Sequence, residues 1–67
     1  MMEIHLNGED KTVPDGLTVM GLVRHLGLEP GWVVVEHNLE ALDRAAWDAT
    51  PIAERDQLEL VRFMGGG

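Results

Sequence analysis

The end of the sequence carries its most distinctive chemical group. Residues 63–67 read Phe63-Met64-Gly65-Gly66-Gly67, and three consecutive glycines leave no side chain that can pack. Such a segment predicts a thin, extended thread that fits a narrow channel of another protein and brings the terminal carboxylate of Gly67 against a phosphorus atom without steric hindrance. Glycines at a chain end are equally compatible with a frayed, inert tail, so the preceding elements must decide between these interpretations.

The remaining polar residues predict a solvated acidic surface and no second reactive centre. Twelve Asp and Glu against five Lys and Arg give a formal net charge of −7, which disfavours nucleic acid and anionic membranes and favours a basic protein surface as the partner. The absence of cysteine excludes disulfides, thiolate metal sites and a cysteine nucleophile. No metal site is predicted, because the histidines lack an HxxxH spacing: His5, His25 and His37.

The length of the chain limits what it does by itself. A 67-residue domain is near the lower limit for folding alone, and enclosing a substrate takes a pocket of roughly 300 Å³ or more. We therefore expect a protein that enzymes act upon and not an enzyme. No apolar run approaches the roughly 20 residues that span a bilayer, and no secretory signal is visible, so we expect a cytoplasmic location and no membrane partner.

The first half of the chain predicts a β-hairpin followed by a helix. Residues 2–6 alternate apolar and polar side chains, Asn7-Gly8 is typical of a hairpin turn, and residues 11–13 are the return strand. Thr18 is the predicted N-cap of a helix whose apolar stripe and C′ glycine follow at helical spacing: Val19, Leu22, Val23, Leu26 and Gly27. Gly21, within this helix, predicts close packing against a strand.

The second half predicts two strands around an irregular segment. Residues 32–37 are β-branched and nearly continuous, as in a strand inside a sheet. Residues 41–47 are compatible with a helical turn, or with a short edge strand followed by one. The last strand covers residues 58–63. This order predicts the α+β class, a ubiquitin-like β-grasp with a mixed sheet of about five strands and one main helix across one face. The predicted domain is 1–64, and 65–67 form a flexible glycine tail.

The whole chain resembles the ThiS family, small ubiquitin-like sulfur carriers of thiamine biosynthesis. Two departures from the usual family pattern are Asp43, where a proline usually precedes the arginine, and Glu54-Arg55-Asp56, where a glycine-containing turn usually precedes the last strand. The resemblance is carried by these stretches, of which the Arg-x-x-Trp element and the glycine tail are the most discriminating: Ile4-His5-Leu6-Asn7-Gly8, Leu17-Thr18-Val19, Val33-Val34-Val35-Glu36-His37-Asn38, Arg44-Ala45-Ala46-Trp47 and the segment from Glu59 to Gly67.

The resemblance implies chemistry at the Gly67 carboxylate. A ThiF-like adenylating enzyme would use ATP and magnesium to join it to AMP, and sulfur from a cysteine desulfurase relay would convert it to a thiocarboxylate that serves a ThiG-like thiazole synthase. The chain would bind no cofactor, and Gly65 and Gly66 would be the rest of the tail. Val61, Phe63 and Met64, next to that tail, are the hypothesised docking patch for the adenylating enzyme.

Other functions share parts of this pattern. The small subunit of molybdopterin synthase is also a β-grasp ending in Gly-Gly, although that family usually has a longer chain and a proline-containing approach to the tail. A conjugating modifier would form isopeptide bonds to lysines of other proteins. A plain interaction domain with an inert tail is the third alternative. The sulfur donor and the oligomeric state are not encoded in any recognisable motif.

Overall fold

The sheet organises the molecule, and its order differs from the order of the chain. The computed structural model describes residues 1–63. Five strands are arranged as β2-β1-β5-β3-β4. Their bounds are β1 Met2–Leu6, β2 Glu9–Val13, β3 Val33–His37, β4 Glu40–Leu42 and β5 Gln57–Arg62. The pair β1–β5 is parallel and all the others are antiparallel, so the mixed sheet of five strands predicted from the sequence is confirmed.

The predicted hairpin forms around Asn7 and Gly8, which have φ values of 51° and 83°. Two successive residues with positive φ make the turn whose twist matches that of the flanking strands. Because this turn is only two residues long, Leu6 pairs directly with Glu9. The return strand therefore begins at Glu9, two residues earlier than predicted.

The helix α1 spans Val19–His25 and lies against the sheet through its predicted apolar stripe. The Thr18 hydroxyl accepts a hydrogen bond from the Gly21 backbone N–H at 3.1 Å, which confirms the predicted N-cap. Gly27, at φ 76°, ends the helix in the left-handed conformation. The interpretation of Gly21 is wrong: the nearest atoms to a Cβ placed there belong to Leu17 and Thr18, in the turn before the helix, and not to a strand.

The segment between β4 and β5 resolves the two alternatives for residues 41–47. A short edge strand, β4, is followed by a 3-10 helix over Arg44–Ala49; another 3-10 helix, Pro30–Trp32, precedes β3. Trp47 is 1% exposed and is among the largest fully buried side chains, whereas Trp32 is 48% exposed. The Trp47 indole N–H donates to the Leu42 carbonyl oxygen at 3.1 Å, so its one polar atom is satisfied.

The core lies between the helix and one face of the sheet. All buried residues in the described part of the chain are apolar. Among residues 1–63, no helix is long and apolar enough to cross a membrane. The core consists of Met2, Ile4, Val13, Val19, Leu22, Val23, Val33, Val35, Trp47, Ile52, Leu58 and Leu60.

Replacing Trp47 by alanine should lower the free energy of unfolding by about 3–5 kcal/mol, because a buried indole leaves a cavity and the Leu42 carbonyl loses its donor. Urea denaturation followed by circular dichroism measures this loss. Trp32→Ala is the matched control, and since that ring is half exposed we expect a loss of about 1 kcal/mol or less. Equal losses for the two variants would contradict the assigned burial.

Candidate functional site

β5 is the strand that leads to the glycine-rich end of the sequence, and it is held from both sides. On one side it pairs with β3 from His37↔Leu58 to Val33↔Arg62. On the other side it pairs with β1 at His5↔Gln57 and Leu6↔Leu58. Beyond the strand, the Phe63 backbone N–H donates to the Trp32 carbonyl oxygen at 3.0 Å. Residues 57–63 are thus fixed as part of the centre of the sheet.

Asn7 continues the hydrogen bonding to β5 beyond the end of β1. Its side-chain oxygen accepts from the Leu60 backbone N–H at 2.8 Å, and its side-chain nitrogen donates to the Leu60 carbonyl oxygen at 3.3 Å. The Asn7 backbone N–H donates to the Leu58 carbonyl oxygen at 2.9 Å. The amide of Asn7 therefore substitutes for the next residue of a parallel strand, and it satisfies backbone groups that would otherwise be unpaired.

Asp56 fixes the start of β5. Its carboxylate accepts from the Ala53 backbone N–H at 2.8 Å and from the Asn38 side chain at 3.3 Å, and it lies 2.8 Å from Nε2 of His37. Burial alone would raise the pKa of Asp56, but the hydrogen bonds from Ala53, His37 and Asn38 outweigh it and hold that pKa below its usual value. We call Asp56, His37, Asn38 and Ala53 the Asp56 corner. It joins the β3–β4 turn to the turn before β5.

The face of the sheet away from the helix exposes an apolar patch next to the last described residues. Val34 and Val61 are direct cross-strand neighbours and are 52% and 57% exposed. Phe63 is 47% exposed. We call these three residues the apolar patch. The outward orientation predicted for Val61 is confirmed by its pairing with exposed Val34, and Phe63, just beyond the strand, is half exposed. Met64, Gly65, Gly66 and Gly67 lie outside the described residues.

Val34, in the apolar patch, and Arg44, beside it, are not predicted as site residues from the sequence. Val34 lies in a run of three valines, and a continuous apolar run gives no period from which to predict an exposed face. Arg44 lines a groove together with Val34 and Phe63, and its guanidinium carbon lies 6.0 Å from the centre of the Trp47 ring. The Arg-x-x-Trp spacing was the available signal, and it places a cation over an aromatic ring.

In the described residues, His5 and His37 contact carboxylates at two different places and do not form a metal centre. His5 lies 3.0 Å from Asp10 on the open face, and His37 belongs to the Asp56 corner. Within residues 1–63, no three His, Asp or Glu side chains are grouped so that they could hold a metal ion.

Comparison with known proteins places this geometry in a family. The model of the ThiS family matches residues 4–67. The chain is 35% identical over 65 residues to the sulfur carrier protein ThiS of Bacillus subtilis, covering 96% of this chain and 98% of that protein. A crystal structure of thiamine biosynthesis protein ThiS from Geobacter metallireducens superposes with a TM-score of 0.84 at 39% identity, covering 98% of this chain and 100% of that one.

The chain also matches part of a larger protein. It is 44% identical over 66 residues to a thiazole synthase of Magnetococcus marinus, covering 98% of this chain and 20% of that protein. A thiazole synthase of Paramagnetospirillum magneticum matches over the same share at 35% identity. The chain therefore spans about a fifth of the length of these two curated relatives.

Both departures from the usual ThiS pattern keep the backbone that the usual residues favour. Asp43, at φ −60°, has the φ value to which a proline ring is restricted. Arg55, at φ 70°, occupies the left-handed region that favours glycine. The Arg55 backbone N–H donates to the Glu3 carbonyl oxygen at 2.7 Å, so the turn is held by β1. At both positions, the φ value of this chain is thus one that the usual residue also adopts.

The Asp56 corner predicts a specific pH dependence. A carboxyl whose pKa is lower in the folded than in the unfolded protein stabilises the fold above its unfolded pKa, and this stabilisation is lost as the pH falls through the folded pKa. We therefore expect Asp56→Asn to have a lower free energy of unfolding than the wild type at pH 7. This difference between the two proteins should be smaller at pH 3. Urea midpoints at both pH values measure it. Asp48→Asn, which changes an exposed carboxylate, is the control, and an unchanged difference at pH 3 would contradict the assignment.

Proposed function

We propose that this chain, which belongs to the ThiS family of sulfur carrier proteins, carries sulfur for thiamine biosynthesis on the carboxyl group of Gly67. The family consists of small carriers and not of catalysts. The reacting atom in this proposal is a main-chain carbonyl carbon, and partner proteins supply the acids, bases and metal ions. Gly65 and Gly66 separate that atom from the folded body.

The main structural support for this proposal is the position of β5. A central strand, hydrogen-bonded to β1 and β3, continues in sequence into Met64-Gly65-Gly66-Gly67. A strand paired on both sides fixes the position of Phe63, the last described residue, and glycines lack the Cβ atoms that would obstruct a narrow channel. The body thereby positions a carboxylate for chemistry that takes place inside another protein.

The proposed reaction has two stages. In the first, an oxygen of the Gly67 carboxylate attacks the α-phosphorus of ATP in a ThiF-like enzyme, magnesium stabilises the phosphate charge, and pyrophosphate leaves. The acyl adenylate has a good leaving group, whereas a free carboxylate would have to expel oxide. In the second, the outer sulfur of a persulfide attacks the carbonyl carbon and displaces AMP, and a second thiol of the partner cleaves the sulfur–sulfur bond. The thiocarboxylate remains on Gly67.

The acceptor in this proposal is a ThiG-like thiazole synthase, and the donor is a cysteine desulfurase relay. The two relatives named thiazole synthase, in which the matching region is about a fifth of the length, support a functional link between a domain of this kind and such a synthase. The absence of cysteine from this chain suits the carrier, because no internal thiol competes for the activated carbonyl. Because ATP and free thiols are required, we assign the reaction to the cytoplasm.

The apolar patch is the proposed contact with the adenylating enzyme. Val61 and Phe63 lie directly before Met64 and the glycines in sequence, so a partner that binds this patch also receives the tail. Exposed apolar side chains grouped in this way commonly mark protein–protein contacts. Met64 is included as the residue that joins the patch to the tail.

Incubation with a ThiF-like enzyme, ATP, magnesium and a persulfide donor should increase the intact mass by the difference between a sulfur and an oxygen atom, with the change located on Gly67 by fragmentation. A chain lacking Gly66 and Gly67 should gain no sulfur, although its circular dichroism and urea midpoint should match those of the full chain. Transfer of sulfur to the truncated chain, or isopeptide adducts on other proteins, would contradict the carrier proposal.

Phe63→Ser should reduce the rate of adenylation about tenfold, a loss of about 1.4 kcal/mol, because this proposal makes Phe63 one of the few interface side chains whose truncation costs more than 1 kcal/mol. ATP–pyrophosphate exchange measures the rate. Leu39→Ser removes another exposed apolar side chain, at the β3–β4 turn and at the opposite end of β3 from Phe63, and should leave the rate unchanged. Adenylation of Phe63→Ser at the wild-type rate would remove the patch from the proposal.

A further inference from the structure

The open face of the sheet places two valines and two glutamates in a square. Val34 is the direct cross-strand neighbour of Val61, and Glu36 is the neighbour of Glu59. Residues two apart on one strand share a face, so all four side chains point away from the helix, and all four are exposed. The apolar edge of the square is the one nearer Phe63, and we call Glu36 and Glu59 the carboxylate pair.

The carboxylate pair is unfavourable for the isolated domain. Side chains directly opposite on antiparallel strands have Cβ atoms about 4.5–5.5 Å apart, and like charges in such positions are destabilising. Within residues 1–63, the ion pairs are Met1–Asp15, His5–Asp10 and His37–Asp56, so neither glutamate is neutralised there. A neutral or oppositely charged residue at either position would remove the repulsion, so folding alone does not explain the pair.

The rest of this face has the same sign of charge. Strand register places Glu3 and Asp10 on it, opposite Thr12 and His5. The two cationic strand residues, Lys11 and Arg62, are opposite the core residues Ile4 and Val33 and therefore belong to the other face. Among the strand residues of the described chain, the open face thus carries carboxylates and no lysine or arginine.

We infer that the open face docks on the adenylating partner through two adjoining contacts, with apolar side chains of the partner on Val34 and Val61 and a partner guanidinium between Glu36 and Glu59. This inference rests on the proposed function and specifies how the carrier is recognised. A planar guanidinium presents several N–H donors and bridges two carboxylates. Such a group would neutralise the charge that the isolated domain leaves unpaired.

The arrangement also sets the direction of docking. The two contacts are one strand repeat apart, about 7 Å, with the apolar contact toward Phe63 and the charged contact away from it. An apolar patch alone permits several orientations, whereas a charge at one end distinguishes them. Only one orientation satisfies both contacts, and it fixes where Phe63, the last described residue, meets the partner.

The double substitution Glu36→Gln/Glu59→Gln tests this inference through two readouts of opposite sign. Relief of the repulsion should raise the thermal midpoint of the free protein by about 2–4 °C. Loss of the contact should weaken binding to a purified ThiF-like enzyme about tenfold at low salt, measured by calorimetry, with a smaller dependence on ionic strength than the wild type has. A purely structural role of these glutamates would not weaken binding while stabilising the fold.

The matched control is Glu9→Gln/Glu40→Gln, which removes the same charge from two strand positions opposite Leu6 and His37, on the other face. Its binding should remain within about twofold of the wild type, since it alters only the long-range field. Equal binding of the wild type and the Glu36/Glu59 variant, or equal weakening in both double variants, would overturn the inference and leave the proposed function intact. Absence of binding by the wild type would overturn both.

Discussion

The parallel pairing of β1 with β5 is the constraint from which the other features follow. Parallel neighbours cannot be joined by a tight turn, so a long crossover connection has to lie between β1 and β5. β2, α1, β3 and β4 are formed in that connection, and the helix is thereby laid across one face. The strand that comes last in sequence occupies the middle of the sheet. Phe63, the last described residue, therefore follows a strand that is hydrogen-bonded on both sides.

The same arrangement gives the two faces of the sheet different surroundings, one covered by the helix and one exposed. The helix and Trp47 close one face over an apolar core, and the domain draws its stability from that side. The other face contributes little to folding and is free to carry exposed valines beside unpaired carboxylates. The side chains that hold the fold together are thereby kept on a different surface from the exposed valines and glutamates.

Features written in a few neighbouring residues were predictable, and features created by distant pairing were not. Asn7-Gly8 and Thr18 carry local conformational signals, and both behave as the sequence predicts. The hydrogen bonds between Asn7 and Leu60 join residues 53 positions apart. The sequence around either residue contains no pattern that predicts these bonds. Trp32 and Trp47 both lie in 3-10 helices, and only tertiary packing buries Trp47 and leaves Trp32 half exposed. At the site, alternation along β5 predicted the exposure of Val61 and Phe63. The exposure of Val34 could not be predicted, because it lies within an unbroken run of valines.

The parallel relation of β1 and β5 also sets the two ends of the described chain at opposite poles. Met1 lies four residues before His5, and Phe63 lies six residues after Gln57, which is the neighbour of His5. At about 3.3 Å per residue, roughly 30 Å of strand direction separates them. A purification tag, fluorophore or surface tether joined at Met1 would accordingly sit far from Phe63, so the domain can be immobilised at that pole while the exposed Phe63 side chain at the other pole stays accessible.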